Sequence, residues 1–174
     1  MADTGYAGIW AGTMVDLLYP EQSFIRAAGS LGLAFPASLG AKCASPERPV
    51  LCFIGDGGFW YHLSEIETAL RWNIKTVTVV KNNSCLQQVS VGIKDAYGNM
   101  PGNRGDLYQF RDNIDFARIA EEMGCLGIRV EHPDEIRSAL EKALAAEIPA
   151  VLDVLTDPKQ MAPWAAAPPF KAKT

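Results

Sequence analysis

The residues most able to do chemistry stand where two apolar runs end. From Val50 to Trp60 the chain reads VLCFIGDGGFW, a run fit for one buried strand that stops at Gly55-Asp56-Gly57-Gly58. A second run ends at Lys81-Asn82-Asn83, with Asn83 lying 27 residues after Asp56. That interval holds one loop, one helix and one returning strand, as a right-handed crossover between parallel strands requires. The Asp56 carboxylate and an Asn amide would then share the carboxyl edge of a sheet, where ligands bind in open α/β folds. Carboxylate, amide and backbone oxygens suit a hard cation such as Mg²⁺. Gly55, Gly57 and Gly58 let a ligand approach the main chain, whose N–H groups can cradle phosphate oxygens. Gly-Asp-Gly alone also describes a common turn; the pairing with Asn83 gives it chemical meaning.

The elements that must position these groups follow from periodicity. Strands are predicted at Val50 to Ile54, Thr76 to Lys81, Leu126 to Val130 and Ala150 to Leu155. Leu31 to Ala44 reads as a tightly packed helix, with Pro36 marking its start or a kink. Ser64 and Glu67 fit a capping box ahead of the stripe Ile66, Ala69 and Leu70. A last helix opens at Pro133, with His132 marking its start. Alternating strands and helices imply an α/β fold, an open and mostly parallel sheet with helices on both faces. Residues 84–115 are long, polar and rich in Gly and Asn, and read as either a functional loop or a loosely ordered excursion. The expected division is a binding domain over residues 1–156 and a Pro/Ala-rich arm over 157–174.

Composition narrows the function classes. The chain has 174 residues, 48% hydrophobic and 21% charged, which fits a soluble globular domain with a real core. With a net charge of -4 and scattered Lys and Arg, nucleic acid is not an expected partner. No apolar segment is long enough to span a membrane and the N-terminus lacks a signal-peptide pattern, so a cytoplasmic location is expected. Cys43, Cys52, Cys85 and Cys125 form no C-x-x-C pair, which argues against zinc and iron-sulfur sites; Cys43 and Cys52 read as small core residues. His62, after an aromatic triplet, reads as a packed or capping residue.

The segment GDGGFWYHLSEIETALRWNIKTVTVVKNN resembles the thiamine-diphosphate motif, which starts at Gly-Asp-Gly and ends at Asn-Asn. The likeness covers roughly residues 1–165 and points to the diphosphate-binding, usually C-terminal, domain of the acetolactate synthase, pyruvate oxidase and pyruvate decarboxylase group. It implies that Asp56, the Asn83 side chain and the Cys85 carbonyl hold Mg²⁺ or Ca²⁺, while Gly55, Gly57 and Gly58 meet the diphosphate. AAGSLGLAFPASLGA resembles the family segment facing the cofactor rings: Gly29, Ser30 and Leu31 would meet the aminopyrimidine, and Leu31 would prop the cofactor in its bent form. In that form the cofactor can remove its own thiazolium proton. Spacing alone leaves Leu31 equally readable as core. Gly5 and Tyr6, in ADTGYAG, match a further diphosphate position.

The resemblance also sets what this stretch lacks. Family members carry a glutamate on a pyrimidine-binding domain, and Glu65 and Glu67 sit on the crossover helix and do not fit that role. No catalytic residue is therefore assigned here; the activating Glu is expected on another chain, and a homo- or hetero-oligomer follows. A separate subunit, a processed chain or an excised domain, inactive alone, is the expectation. True pyruvate decarboxylases have an acid six positions after the second motif Asn, and Val89 stands there. An apolar residue is closer to acetolactate synthase-like and oxidase-like members, although some decarboxylases and lyases also lack that acid. The expected substrate is a small 2-oxo acid, decarboxylated and then joined to a second carbonyl. The alternative is a non-catalytic Mg-diphosphate-binding module with an assembly or regulatory role. Other phosphate-binding α/β domains fit less well, because neither a P-loop nor a convincing nucleotide fingerprint follows a strand. Met161, Trp164 and Phe170 in the arm would suit an interface or a tail folded back on its own domain.

Overall fold

The computed structural model describes residues 1–98, 105–112 and 114–163. Four parallel strands, β1 (Leu51–Gly55), β2 (Val77–Asn82), β3 (Leu126–Val130) and β4 (Ala150–Leu155), form a sheet in the order β1-β2-β4-β3. Each lies within a residue or so of its predicted span. Gly55 pairs with Lys81 and Asn82 with Leu155, so the ends of β1, β2 and β4 form one common edge. Ala2 adds isolated parallel bridges to Phe53 and Arg26, and its neighbour Asp3 donates its N–H to the Phe53 carbonyl at 2.9 Å.

Helices cover both faces. On one face α2 (Ala34–Ala44), α3 (Asp56–His62), α4 (Glu65–Arg71) and α6 (Phe116–Met123) bring Phe35, Leu39, Phe59, Ile66 and Phe116 against Cys52, Ile54, Val80 and Val151. Phe59 stacks edge-on against both Phe35 and Phe116, with centroids 5.1 and 5.5 Å apart. On the other face α7 (Ile136–Leu144) sets Ala139 and Ala143 on Val79, Val130 and Leu152. The first helix, α1 (Gly5–Met14), packs beside β1 and meets α5 (Gln87–Tyr97) through Tyr6, Ile9 and Val91.

Several expectations need correction. Residues 84–115 are not one long loop, since α5 occupies a third of them and ends at Gly98 in the left-handed conformation, φ 67°. Its buried side chains are Gln87 and Ser90, so polar contacts rather than an apolar stripe hold it down. The Ser64/Glu67 capping box does not form: Ser64 is itself helical (φ -58°, ψ -23°) because α3 leads almost directly into α4, and Glu67 instead bonds Arg71 at 2.8 and 2.6 Å. A box of that kind forms at His132, where Glu135 Oε2 accepts the N–H of His132 at 3.0 Å. Pro36 sits in the first turn of α2, as a helix start allows. Cys43 is exposed on α2, whereas Cys52 is buried in the core as expected. In the arm, Ala162 is buried beside Tyr6 and Ile9; Trp164 and Phe170 lie outside the described residues.

Candidate functional site

A cavity of about 320 Å³ opens at the carboxyl ends of β1 and β2. Gly5, Tyr6, Gly29, Leu31, Gly55, Asp56, Gly57, Gly58, Asn83 and Cys85 all line it, drawn from four separate stretches of chain. Of the sequence-predicted positions only Ser30 does not; it is exposed beside Gly29 and Leu31. His62 and Glu65 are likewise not part of the lining, and His62 packs near Gly32.

Asp56 begins α3 immediately after β1, and its carboxylate braces the opposite wall. Oδ1 accepts the Gly57 N–H at 2.7 Å, while Oδ2 accepts the N–H groups of Asn83 and Cys85, each at 3.1 Å. Burial pushes its carboxyl above the ordinary aspartate value, against the pull of those N–H groups and of the Lys81 ammonium. The two asparagines divide their work by strand alternation. Asn82 turns away and donates to Asp153 Oδ1 at 2.9 Å and to the Ile114 carbonyl at 3.0 Å, so it ties β2 to β4. Asn83 turns into the cavity; its amide nitrogen donates to Gln87 Oε1 at 2.9 Å or, with the amide turned over, to the Cys85 carbonyl at 3.0 Å, which sets its oxygen 2.9 Å from Lys81 Nζ.

The donor set decides which ion the wall could hold. Among the described residues no group of three or more His, Cys, Asp or Glu side chains converges on a metal position. An ion here would rely on the Asp56 carboxylate, the Asn83 amide oxygen and the Cys85 carbonyl, an all-oxygen set that fits Mg²⁺ or Ca²⁺ and not a soft metal. The glycines play two different parts. A Cβ on Gly57 would lie 2.4 Å from Leu86 Cδ2, and one on Gly58 2.2 Å from Asp3 Oδ2, so these positions are needed for packing. A Cβ on Gly55 or Gly29 would meet nothing within 4 Å, and both line the cavity, so bare backbone faces the space a ligand would fill. Gly29 also holds a φ of 92°, a region closed to most side chains.

Three residues that the motif reading did not assign support the wall, two of them from within it. Asp3, fully buried, accepts Gly32 N–H at 2.9 Å and Ala34 N–H at 3.2 Å, fixing the turn that presents Gly29 and Leu31. Burial pushes its carboxyl upward. Gln87 lines the cavity and donates to the Pro158 and Gln160 carbonyls at 2.7 and 2.8 Å, fastening α5 to the segment after β4. Lys81 lines the cavity too, and burial pulls its ammonium below the ordinary lysine value while Asp56 and Cys85 act the other way. An acid near the N-terminus and a lysine closing an apolar strand were the available signals, but their partners lie too far along the chain for spacing to reveal. Val89, in the first turn of α5, lines the mouth and is about half exposed.

A second cavity of about 1040 Å³ lies on the face between α1 and α7, lined by Trp10, Met14, Phe24, Phe53, Val79 and Leu140 among others. It is apolar and presents no convergent set of ligating groups.

Residues 3–154 match the family described as thiamine pyrophosphate enzyme, C-terminal TPP binding domain. The chain is 33% identical over 158 residues to a probable acetolactate synthase large subunit of Methanococcus aeolicus, covering 90% of this chain and 26% of that protein. It is 36% identical over 128 residues to the acetolactate synthase of Bacillus subtilis, covering 74% of this chain and 21% of the relative. Among solved structures it resembles the thiamine diphosphate-dependent 4-hydroxybenzoylformate decarboxylase of Rhodococcus jostii RHA1, with a TM-score of 0.62, 32% identity, and coverage of 73% of this chain and 23% of that one. The chain thus spans about a quarter of the length of these relatives. It belongs to the thiamine pyrophosphate enzyme family and corresponds to its C-terminal, cofactor-binding domain.

Proposed function

We propose that this family member holds the diphosphate end of thiamine diphosphate through Mg²⁺ or Ca²⁺ and, joined to a pyrimidine-binding domain from another chain, acts on a 2-oxo acid by decarboxylation and carboligation, as an acetolactate synthase does. The observation that carries this reading is the juxtaposition of Asp56, Asn83 and the Cys85 carbonyl beside the bare backbone of Gly55. When bound, the cofactor would supply a nucleophilic carbon for the 2-oxo group and a thiazolium ring as electron sink for decarboxylation. The chain's own residues position it. Asp56, Asn83 and Cys85 offer oxygens to the ion, and Gly5, Tyr6, Gly55, Gly57 and Gly58 line the diphosphate space. Gly29 and Leu31, on the turn held by Asp3, would meet the pyrimidine and support the bent conformation, with Ser30 beside them. Among the described residues no glutamate lines the cavity, so the activating glutamate is assigned to the companion domain.

Val89 at the cavity mouth presents no proton donor, which favours capture of the decarboxylated intermediate by a second carbonyl over simple protonation. The likeness to the Rhodococcus decarboxylase favours a second reading, decarboxylation without carboligation. Analysis of products from the assembled enzyme separates them: an acetolactate-type hydroxy acid supports the first, an aldehyde the second.

The binding reading is tested by calorimetric titration of thiamine diphosphate into the chain with Mg²⁺ or with EDTA, with light scattering for mass. Metal-dependent binding that disappears in Asp56→Ala is expected; unchanged affinity in that variant would overturn the site. No helix among the described residues is long and apolar enough to cross a membrane.

A further inference from the structure

The Asn83 amide is oriented by a chain of hydrogen bonds that begins outside the cavity. Gln87, buried in the first turn of α5, gives its side-chain nitrogen to two backbone carbonyls, Pro158 at 2.7 Å and Gln160 at 2.8 Å. A backbone carbonyl can only accept, so the Gln87 amide has one orientation and its Oε1 faces Asn83 and Lys81. There Oε1 accepts Asn83 Nδ2 at 2.9 Å and Lys81 Nζ at 3.1 Å. The Asn83 oxygen is then set 3.0 Å from the Cys85 carbonyl oxygen, acceptor against acceptor. A hard cation reconciles that pair: at metal–oxygen distances of about 2.1 Å, neighbouring ligands of octahedral Mg²⁺ stand about 3.0 Å apart.

One group opposes this arrangement. Lys81 Nζ lies 2.9 Å from Asn83 Nδ2, donor against donor. Turning the amide over would give its oxygen to the ammonium and its nitrogen to the Cys85 carbonyl, taking the oxygen away from the ion and setting it against Gln87 Oε1. The Asp56 carboxylate attracts the same ammonium, so Lys81 has a counter-charge without the Asn83 oxygen.

We propose that Gln87 is a positioning residue for the metal: it holds the Asn83 amide with its oxygen toward the ion, and the segment from Pro158 to Gln160 in turn holds Gln87. The inference rests on the cofactor reading above. It makes the stretch after β4, which touches no ligand, part of what sets metal affinity.

Calorimetric titration of Mg²⁺ into the chain at saturating thiamine diphosphate tests this, with circular dichroism and thermal melting to follow folding. Gln87→Met removes the acceptor and leaves the Asn83 amide to Lys81, so Mg²⁺ affinity should fall about tenfold to hundredfold, the usual effect of losing a group that orients a metal ligand. Gln87→Glu returns an oxygen to Asn83 but offers no hydrogen to the Pro158 and Gln160 carbonyls. Its Mg²⁺ affinity should match or exceed that of the wild type while its melting temperature drops. In a Lys81→Met background nothing competes for the Asn83 oxygen, and Gln87→Met should cost much less. Gln87→Met that takes up Mg²⁺ as tightly as the wild type overturns the proposal. So does Gln87→Glu that loses as much as Gln87→Met, because loss of the Pro158 and Gln160 contacts then accounts for both. An equal loss with and without Lys81 overturns it as well. Should Gln87→Met fail to fold, Gln87→Glu decides alone: retained Mg²⁺ affinity with a lowered melting temperature supports the proposal, and loss of both overturns it. Absence of Mg²⁺ uptake by the folded wild type overturns the cofactor reading and this inference together.

Discussion

Asp56 holds the backbone of Asn83 directly: its Oδ2 accepts the Asn83 N–H at 3.1 Å across 27 residues of chain. The same oxygen takes the Cys85 N–H at 3.1 Å, so the carboxylate that begins α3 also shapes the turn leaving β2. The three residues proposed to face the ion are thereby spaced by hydrogen bonds of the chain itself. Asp56→Ala leaves the N–H groups of Gly57, Asn83 and Cys85 without this acceptor and should destabilise the chain by about 1–3 kcal/mol. Asp56→Asn keeps an oxygen for part of that set and should lose less than half as much, while still losing metal-dependent cofactor binding. Urea denaturation of both variants checks this; equal midpoints for Asp56→Ala and the wild type would show that the bracing contributes nothing.

The glycines separate folding from binding. Gly58→Ala places a methyl 2.2 Å from a buried carboxylate oxygen of Asp3 and should cost about 1–3 kcal/mol. Gly55→Ala meets nothing within 4 Å, so its thermal midpoint should stay near that of the wild type while thiamine diphosphate affinity falls, because the methyl enters the cavity. A Gly55→Ala chain that binds normally would place the ligand elsewhere.

The Arg129–Asp153 pair, its carboxylate buried and its guanidinium partly exposed, should behave as a unit. Asp153 is fully buried and receives Arg129 Nη1 at 3.0 Å, Asn82 Nδ2 at 2.9 Å and the Phe116 N–H at 3.0 Å. Arg129→Met strands that carboxylate and should cost about 3 kcal/mol. Adding Asp153→Asn should recover part of the loss, giving a favourable coupling in a double-mutant cycle. Strict additivity in denaturation experiments would contradict the pairing.

Thiol chemistry offers a direct readout of the packing. Burial pushes Cys52 up to about 12 and Cys125 up to about 11, so both stay protonated, and unreactive, through the neutral range. Cys43 is exposed, and Cys85 is partly exposed with its thiol likewise pushed upward by burial. Disulfide-exchange labelling at pH 8 should therefore modify Cys43 first, Cys85 slowly, and Cys52 and Cys125 only after unfolding. Rapid labelling of Cys52 in the native chain would contradict the core described here.

The strands were legible because each is a short apolar run with a sharp end, and the Asp56–Asn83 interval was legible because a crossover has a narrow range of lengths. What escaped had no local signature. The first helix, α1, is rich in Gly and buried around much of its circumference, so it shows little amphipathic period. The α5 helix hides behind a polar buried side, Gln87 and Ser90. Ser64 has the right residue type for a cap, but the preceding chain is already helical, which no short motif reveals. Asp3 and Asp153 are buried acids whose partners lie tens of residues away, and only tertiary structure brings them together.

The cavity wall is assembled from residues 4–7, Gly29 and Leu31, 55–58 and residues between 81 and 89, stretches that meet only when the sheet edge is complete. A ligand seated there stitches together segments from half the chain, and no single fragment can hold it. Binding energy then becomes fold energy: at a free concentration a hundred times its dissociation constant, such a ligand adds about 2.7 kcal/mol to the unfolding free energy of the whole domain. The melting temperature of this chain is thus a gauge of pocket occupancy, one that responds to cofactor even where no reaction can be followed.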